Sequence, residues 1–332
     1  MCEVNRNEFL QVLQYVNSAT ATKVTTAQSD CIVFKDNQMF SYNDELACQA
    51  EAPFDLECVV KASPLIKLLE RLPDELVSVS LEAKGLQVKG KRKRGTINVE
   101  MDILLPMEVF KEPSDWIDVP EGFSKALKTC APSVGKDVSR FNLMCIHLNK
   151  GLIESCDGFQ FTRVYLTEGG LENETFIRGA IAKKIVDFNA LQYSADGNWL
   201  RFSNEVAVLS CRQYNHDYPR LDVIFDAKGT LLELPKNIKE ILKRTDVFGD
   251  GMITATFTGE IIKITSSSDD GDYEEKAKCE FVGDPFQVTV NSKLFNALIK
   301  NSNEVIVGDK SITITTGNEM YVIALNKVKE EL

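Results

Sequence analysis

Residues 234–244 read LPKNIKEILKR. Leu234, Ile238, Ile241 and Leu242 share one face at helical spacing, while Lys236, Lys239, Lys243 and Arg244 project elsewhere, so the stretch predicts an amphipathic helix with a basic outer side. Five more segments read the same way: 6–17, 61–75, 121–130, 181–191 and 291–300. Short alternating stretches lie between them, and these predict strands, for example 31–34, 39–42, 77–81, 86–89, 96–101, 143–148, 161–166, 199–202 and 206–212. After the 234 helix the expected strands are 253–257, 261–265, 277–281, 305–307, 312–315 and 321–325, with a hairpin over 269–275. Asp36-Asn37 and Lys84-Gly85 have turn chemistry.

The helices recur in order. First-helix anchors Phe9, Phe123 and Ile238 are 114 and 115 residues apart, and second-helix anchors Ile66, Ile185 and Leu294 are 119 and 109 apart. Repeats this large mean duplicated domains rather than a short solenoid unit. The expectation is an α+β chain of three two-helix/β-sheet domains, 1–117, 118–228 and 229–332.

Composition excludes several classes. The 332 residues are 44% hydrophobic and 26% charged, enough for two or three domains with cores. No apolar run approaches the roughly 18 residues of a membrane span, and the opening MCEVNRNEF lacks the apolar stretch of a secretion signal. Nine cysteines with no C-x-x-C pair read as reduced, mostly buried thiols in a cytoplasmic protein. His147 and His216 are too few and too far apart for a zinc site. No Walker loop, H-E-x-x-H, G-x-S-x-G or dinucleotide fingerprint is present, so the reading requires no catalytic residue, metal or cofactor.

Net charge is −11, which taken alone argues against a nucleic-acid binder. Its distribution says otherwise. The six predicted helices carry 14 Lys+Arg against 7 Asp+Glu, a balance of +7, leaving −18 on the rest of the chain. A basic helix surface meets phosphates without reading bases, and an acidic exterior discourages DNA elsewhere. Twelve helices about 10 Å wide, side by side in a ring, enclose a hole of roughly 28 Å, whereas six leave roughly 9 Å. A duplex therefore requires two chains, a two-fold dimer.

At this point the chain resembles the bacterial DNA polymerase III beta sliding clamps, as a divergent or phage-type member. The resemblance spans nearly the whole length. It is strongest in KASPLIKLLERLPDELVSVSLEAKGLQVKGKRKRGTINV (61–99), VSRFNLMCI (138–146), ESCDGFQFTRVYL (154–166), YPRLDVIF (218–225) and FQVTVNSKLFNALIK (286–300). It implies the clamp fold, a head-to-tail homodimer ring around duplex DNA, no enzymatic activity and no membrane. It also implies a polymerase, a clamp loader, and an apolar peptide pocket between the second and third domains.

Residue by residue, the resemblance places DNA contacts at Lys23 in the loop after the first helix and at Lys136 and Phe141 around the matching loop of the second domain. Lys125, Lys128, Lys183, Lys184, Lys239 and Lys243 are helix candidates. The pocket positions are Arg140, Leu143, Cys156, Gly158, Phe159, Gln160, Phe161, Pro219, Leu221, Val223, Leu294, Val322, Ile323, Ala324, Leu325 and Asn326. Here the chain departs from its family. The usual D-G-H-R-L is Asp157-Gly158-Phe159-Gln160-Phe161, and the usual M-P-M-R-L is Ala324-Leu325-Asn326-Lys327-Val328. An altered pocket implies its own partner motif.

Two charge runs remain. Lys91-Arg92-Lys93-Arg94 lies in or beside a strand late in the first domain, and Asp269, Asp270, Asp272, Glu274 and Glu275 lie in the matching part of the third. The acidic run lacks the ligand spacing of an EF-hand. The ring implied by the resemblance brings these two edges together, so they are dimer-interface candidates with Val247 and Phe248 as the apolar component. The rival readings are a metal nuclease using Asp269, Asp270 and Asp272, a single-strand binder, which needs aromatic stacking residues that Trp116 and Trp199 do not supply, and a clamp-shaped scaffold or decoy that binds partners without encircling DNA.

Overall fold

The computed structural model describes residues 2–326 apart from 25, 112, 168, 172, 216, 226–227 and 281–282. His216, Ala227, Phe281 and residues 327–332 of the sequence reading lie outside the described residues. The contacts group the chain into two compact units: 1–119 with 180–214, and 120–179 with 215–332. The middle segment of the sequence reading contributes to both.

The first unit holds two antiparallel sheets. One has the order β1 (Cys2–Asn5), β6 (Leu76–Glu82), β7 (Gly85–Gly90), β8 (Lys93–Ile97). The other runs β10 (Ile117–Asp118), β15 (Gln192–Asp196), β16 (Trp199–Ser203), β17 (Ala207–Arg212), β4 (Leu46–Glu51), β3 (Gln38–Tyr42), β2 (Cys31–Lys35), β5 (Cys58–Lys61), β9 (Val99–Glu100). Its helices are α1 (Arg6–Asn17), α2 (Ala62–Arg71) and α4 (Ala182–Phe188). The second unit repeats the plan. Its larger sheet runs β14 (Thr175–Arg178), β11 (Cys145–Asn149), β12 (Leu152–Cys156), β13 (Gln160–Tyr165), β25 (Glu319–Ala324), β24 (Ser311–Thr316), β23 (Glu304–Val307), β18 (Thr230–Glu233). The smaller runs β21 (Gly271–Lys278), β20 (Ile261–Ser268), β19 (Met252–Thr258), β22 (Phe286–Asn291). Its helices are α3 (Phe123–Cys130), the one-turn α5 (Asp222–Phe225), α6 (Ile238–Thr245) and α7 (Ser292–Leu298).

Local chemistry accounts for the element ends. The Asn5 side chain accepts from the backbone N–H of Asn7 and Glu8, so α1 starts at Arg6 and buries Phe9, Leu13 and Val16. Asn291 caps α7 in the same way through Leu294 N–H. The second helix stops at Arg71 because Leu72 is extended before Pro73, where proline disfavours the helical conformation. Asn189, left-handed at φ 54°, ends α4 earlier than its apolar pattern implies.

Three expectations shift. The 234 helix begins only at Ile238, because Leu234 N–H bonds Asn303 O and the Pro235 carbonyl opens a turn to Ile238 N–H. Leu234 still joins the core. Leu143 and Met144 belong to a short 3-10 turn before β11 rather than to the strand. The expected hairpin over 269–275 is narrower: its turn is Asp269-Asp270, and from Gly271 on the run is already strand β21, with Asp272 and Glu274 exposed and Tyr273 and Glu275 half-buried in strand alternation. Eight of nine cysteines are buried and only Cys2 is exposed.

Candidate partner pocket and nucleic-acid interface

Register decides which pocket candidates meet. In β13 and β25, Phe161 faces Val322 directly, so their side chains share one face of the larger sheet, while the Gln160–Ile323 pair shares the other. On the first face Leu143, Cys156, Phe161, Leu221 and Val322 gather in one apolar cluster. Phe225, Tyr218, Ile224 and Met320 complete it and were not anticipated, although Phe225 follows Leu221 by one helical turn. Leu294, Ile323 and Leu325 instead belong to the core on the helix side. Leu294, Ile323 and Gln160 line a cavity of about 350 Å³ there, between α3 and α7, which Phe161 and Val322 also border. The sequence candidates are therefore divided between two faces.

The loop before β13 is built by Asp157, whose Oδ1 accepts from Phe159 N–H and Gln160 N–H at 2.8 Å each. Gly158 has φ +97°, and a Cβ there would meet the Arg140 guanidinium at 3.2 Å, so both conformation and space call for glycine. Phe159 is 62% exposed and Val223 80% exposed. Pro219 is exposed, and Ala324 and Asn326 are tied by backbone bonds to Phe159 O and Thr289 O.

Beside the apolar cluster lies a buried polar one that the sequence did not announce. His147, Glu154 and Arg163 sit opposite one another on β11, β12 and β13. All three are at most 6% exposed. Glu154 accepts from Arg163 Nε at 2.7 Å and lies 2.5 Å from its Nη2, while its other oxygen is 2.7 Å from His147 Nδ1. Glu174 lies 2.8 Å from His147 Nε2. Burial disfavours the Arg163 charge, but hydrogen bonds to Tyr165, Glu154 and Asp222 and the nearby carboxylate outweigh it and raise its pKa. Burial pushes the neighbouring Cys156 thiol up to about 11.

The basic candidates separate into two groups. Lys184 Nζ donates to Ser18 O at 2.5 Å at the end of α1, and burial lowers its pKa, so it is a structural cap rather than a free cation. Lys125 lies 2.7 Å from Glu319. Lys23, Lys128, Lys136, Lys183 and Lys243 are exposed and Lys239 is half-buried, and none makes an ion pair among the described residues. Phe141 is half-buried with the Arg178 guanidinium 4.9 Å from its ring centroid. The six longer helices as observed carry 11 Lys+Arg and 4 Asp+Glu, which preserves the balance of +7.

Glu319 gives a pH prediction. Burial raises its pKa, but hydrogen bonds from Lys125 and Tyr321 overcome that and hold it below the usual carboxylate value of 4.5. Asp30 is likewise held below 3.8, mainly by its bond from Lys61. Depressed carboxylates stabilise the fold fully above their unfolded values and lose that contribution as pH falls through the folded ones. The thermal midpoint should be flat above about pH 5 and drop below about pH 4. Lys125→Met should shallow the acid drop, and an unchanged slope would remove this pair from the account.

Both charge runs lie on edges. β8 ends the smaller sheet of the first unit and β21 that of the second. Lys91 and Arg92 form the turn and Lys93 and Arg94 open β8. Lys93 lies 3.2 Å from Asp74. Arg244 grips Glu275 through two bonds of 2.9 and 2.8 Å, and Glu274 is within 3.4 Å of Lys263 and Lys276. Asp269, Asp270 and Asp272 make no ion pair among the described residues. Val247 is 70% exposed and Phe248 lies against Gly271.

Among the described residues there is no cluster of metal-ligating side chains and no helix long and apolar enough to cross a membrane. No family model and no curated protein matches the sequence. Solved structures do. The DNA polymerase III beta subunit of Pseudomonas aeruginosa aligns with 98% of this chain and 99% of its own at TM-score 0.84 and 15% identity. The beta subunit of Thermotoga maritima aligns over the same shares at 0.83 and 17%, and a protein of Eubacterium rectale described as a putative beta subunit at 0.84 and 14%. Over nearly its full length, this chain has the fold of the bacterial DNA polymerase III beta sliding clamps.

Proposed function

We propose that the protein is a DNA polymerase processivity factor. Two chains, each of three clamp domains (1–117, 118–228 and 229–332), close head to tail into a ring around duplex DNA. The ring slides on weak phosphate contacts from Lys23, Lys128, Lys136, Lys183, Lys239 and Lys243, and it tethers a replicative polymerase through the apolar cluster around Phe161 and Leu221. Tethering raises the effective concentration of the polymerase at the primer end, so no catalytic group is needed. A clamp loader is the partner that a closed ring calls for. The observation that carries this reading is a clamp fold over 98% of a chain whose helices hold +7 while the whole carries −11. Loss of any one exposed lysine should weaken DNA binding modestly and without sequence preference.

The test is retention on circular DNA. The protein should stay on a closed plasmid through gel filtration and leave when the plasmid is linearised. Equal release from both forms would leave the second reading, a clamp-shaped scaffold or decoy, for which the altered Phe159-Gln160 stretch is the supporting observation.

A further inference from the structure

Segment 218–225 supplies one wall of the apolar cluster, with Tyr218, Leu221, Ile224 and Phe225 packed in or against it and Val223 facing solvent. An apolar segment resting on an apolar sheet has no preferred register beyond the fit of its side chains. One charged contact at its centre changes that. Arg163 Nη1 lies 2.8 Å from Asp222 Oδ1, and its guanidinium carbon is 4.4 Å from the centroid of Phe225. The other side of the same guanidinium is anchored on buried Glu154. Glu154 in turn is fixed by His147, whose ring stacks on Phe176 at 4.8 Å and lies 5.0 Å from Tyr218.

We infer that Arg163 and Asp222 form a latch that sets the register of segment 218–225 and thereby positions the peptide-binding wall. The assignment rests on the pocket reading above. Arg163 is itself only 5% exposed, so it acts through Asp222 on Leu221 and Val223 rather than on a bound peptide. A planar guanidinium suits this place because it bonds two carboxylates in its plane and covers an aromatic ring with its face. Asp222 is the complementary choice. Its side chain is 75% exposed, so it is lost without stranding a buried charge in the segment.

The test uses Asp222→Asn and Asp222→Glu in the full chain. Amide hydrogen exchange across 221–225 in the free protein should speed up roughly five-fold in D222N, the factor for about 1 kcal/mol. D222E, which keeps the charge, should restore slow exchange. A fluorescein-labelled hexapeptide with two apolar anchors, selected from a random library for binding to the unmutated protein, should lose affinity in D222N by a similar factor and regain it in D222E. Unchanged exchange in D222N overturns the latch. Faster exchange with undiminished peptide affinity overturns its positioning role. Failure of the unmutated protein to bind any peptide of the library sinks the pocket reading itself, and the exchange result, which needs no peptide, tells that failure from failure of the latch.

Discussion

Arg163→Met should destabilise the second unit by about 3–5 kcal/mol, the usual cost of removing one partner from a buried ion pair. The loss is large because Glu154 stays behind at 4% exposure, with His147 as its one remaining side-chain partner among the described residues. Methionine keeps most of the volume, so a cavity does not explain the effect. The placement of tryptophan makes the measurement selective. Trp116 and Trp199 are the two tryptophans of the chain, and both belong to the first unit. Urea unfolding followed by tryptophan fluorescence should therefore stay unchanged while the transition seen by circular dichroism moves to lower denaturant. The double variant Glu154→Leu/Arg163→Met should recover at least half of the loss, since replacing both charges removes the desolvation cost. Equal losses in the single and double variants would show that packing, not stranded charge, holds this site.

Much of the fold was legible because its signals are local. Asn5 followed by Phe9, Leu13 and Val16 specifies both the start and the buried face of α1. Asp36 and Asn37, both left-handed at φ 50° and 59°, form the turn their chemistry implies. What stayed hidden depends on partners distant in sequence. Apolar alternation in FQF and YVIAL does not reveal that Phe161 pairs with Val322, and that register alone separates the cluster side from the helix side. Arg163 and Asp222 are 59 residues apart, and Lys184 and Ser18 are 166 apart. A strand arginine and a helix lysine look like solvated surface until the fold supplies a carboxylate or a carbonyl. The acidic run misled for the opposite reason. Five carboxylates in seven residues read as belonging to the hairpin turn throughout, but the exposed edge of a sheet is also solvated, and Arg244, Lys263 and Lys276 neutralise part of the run where it lies.

That internal neutralisation bears on what holds two chains together. If the β8 and β21 edges meet in the proposed ring, Glu274, Glu275 and Lys93 arrive already paired within their own chain. Exposed pairs of this kind contribute only about 0–1 kcal/mol. Strand pairing and apolar contact must then supply most of the association energy, and Val247, exposed and next in sequence to the Phe248 that lies against Gly271 of β21, is the candidate to test. Val247→Arg should leave the isolated chain nearly as stable as before, within about 0.5 kcal/mol, because the position is 70% exposed. Each seam should lose about 2 kcal/mol, and a two-fold ring has two seams, so closure weakens by roughly a thousand-fold. Light scattering should report 37.1 kDa in place of twice that mass, and retention on circular DNA should vanish while the thermal midpoint holds. A variant that keeps the doubled mass would remove Val247 from the seam. If that dimer also dissociated in high salt, the remaining charges at Arg92, Arg94 and Asp272 would have to be its main support.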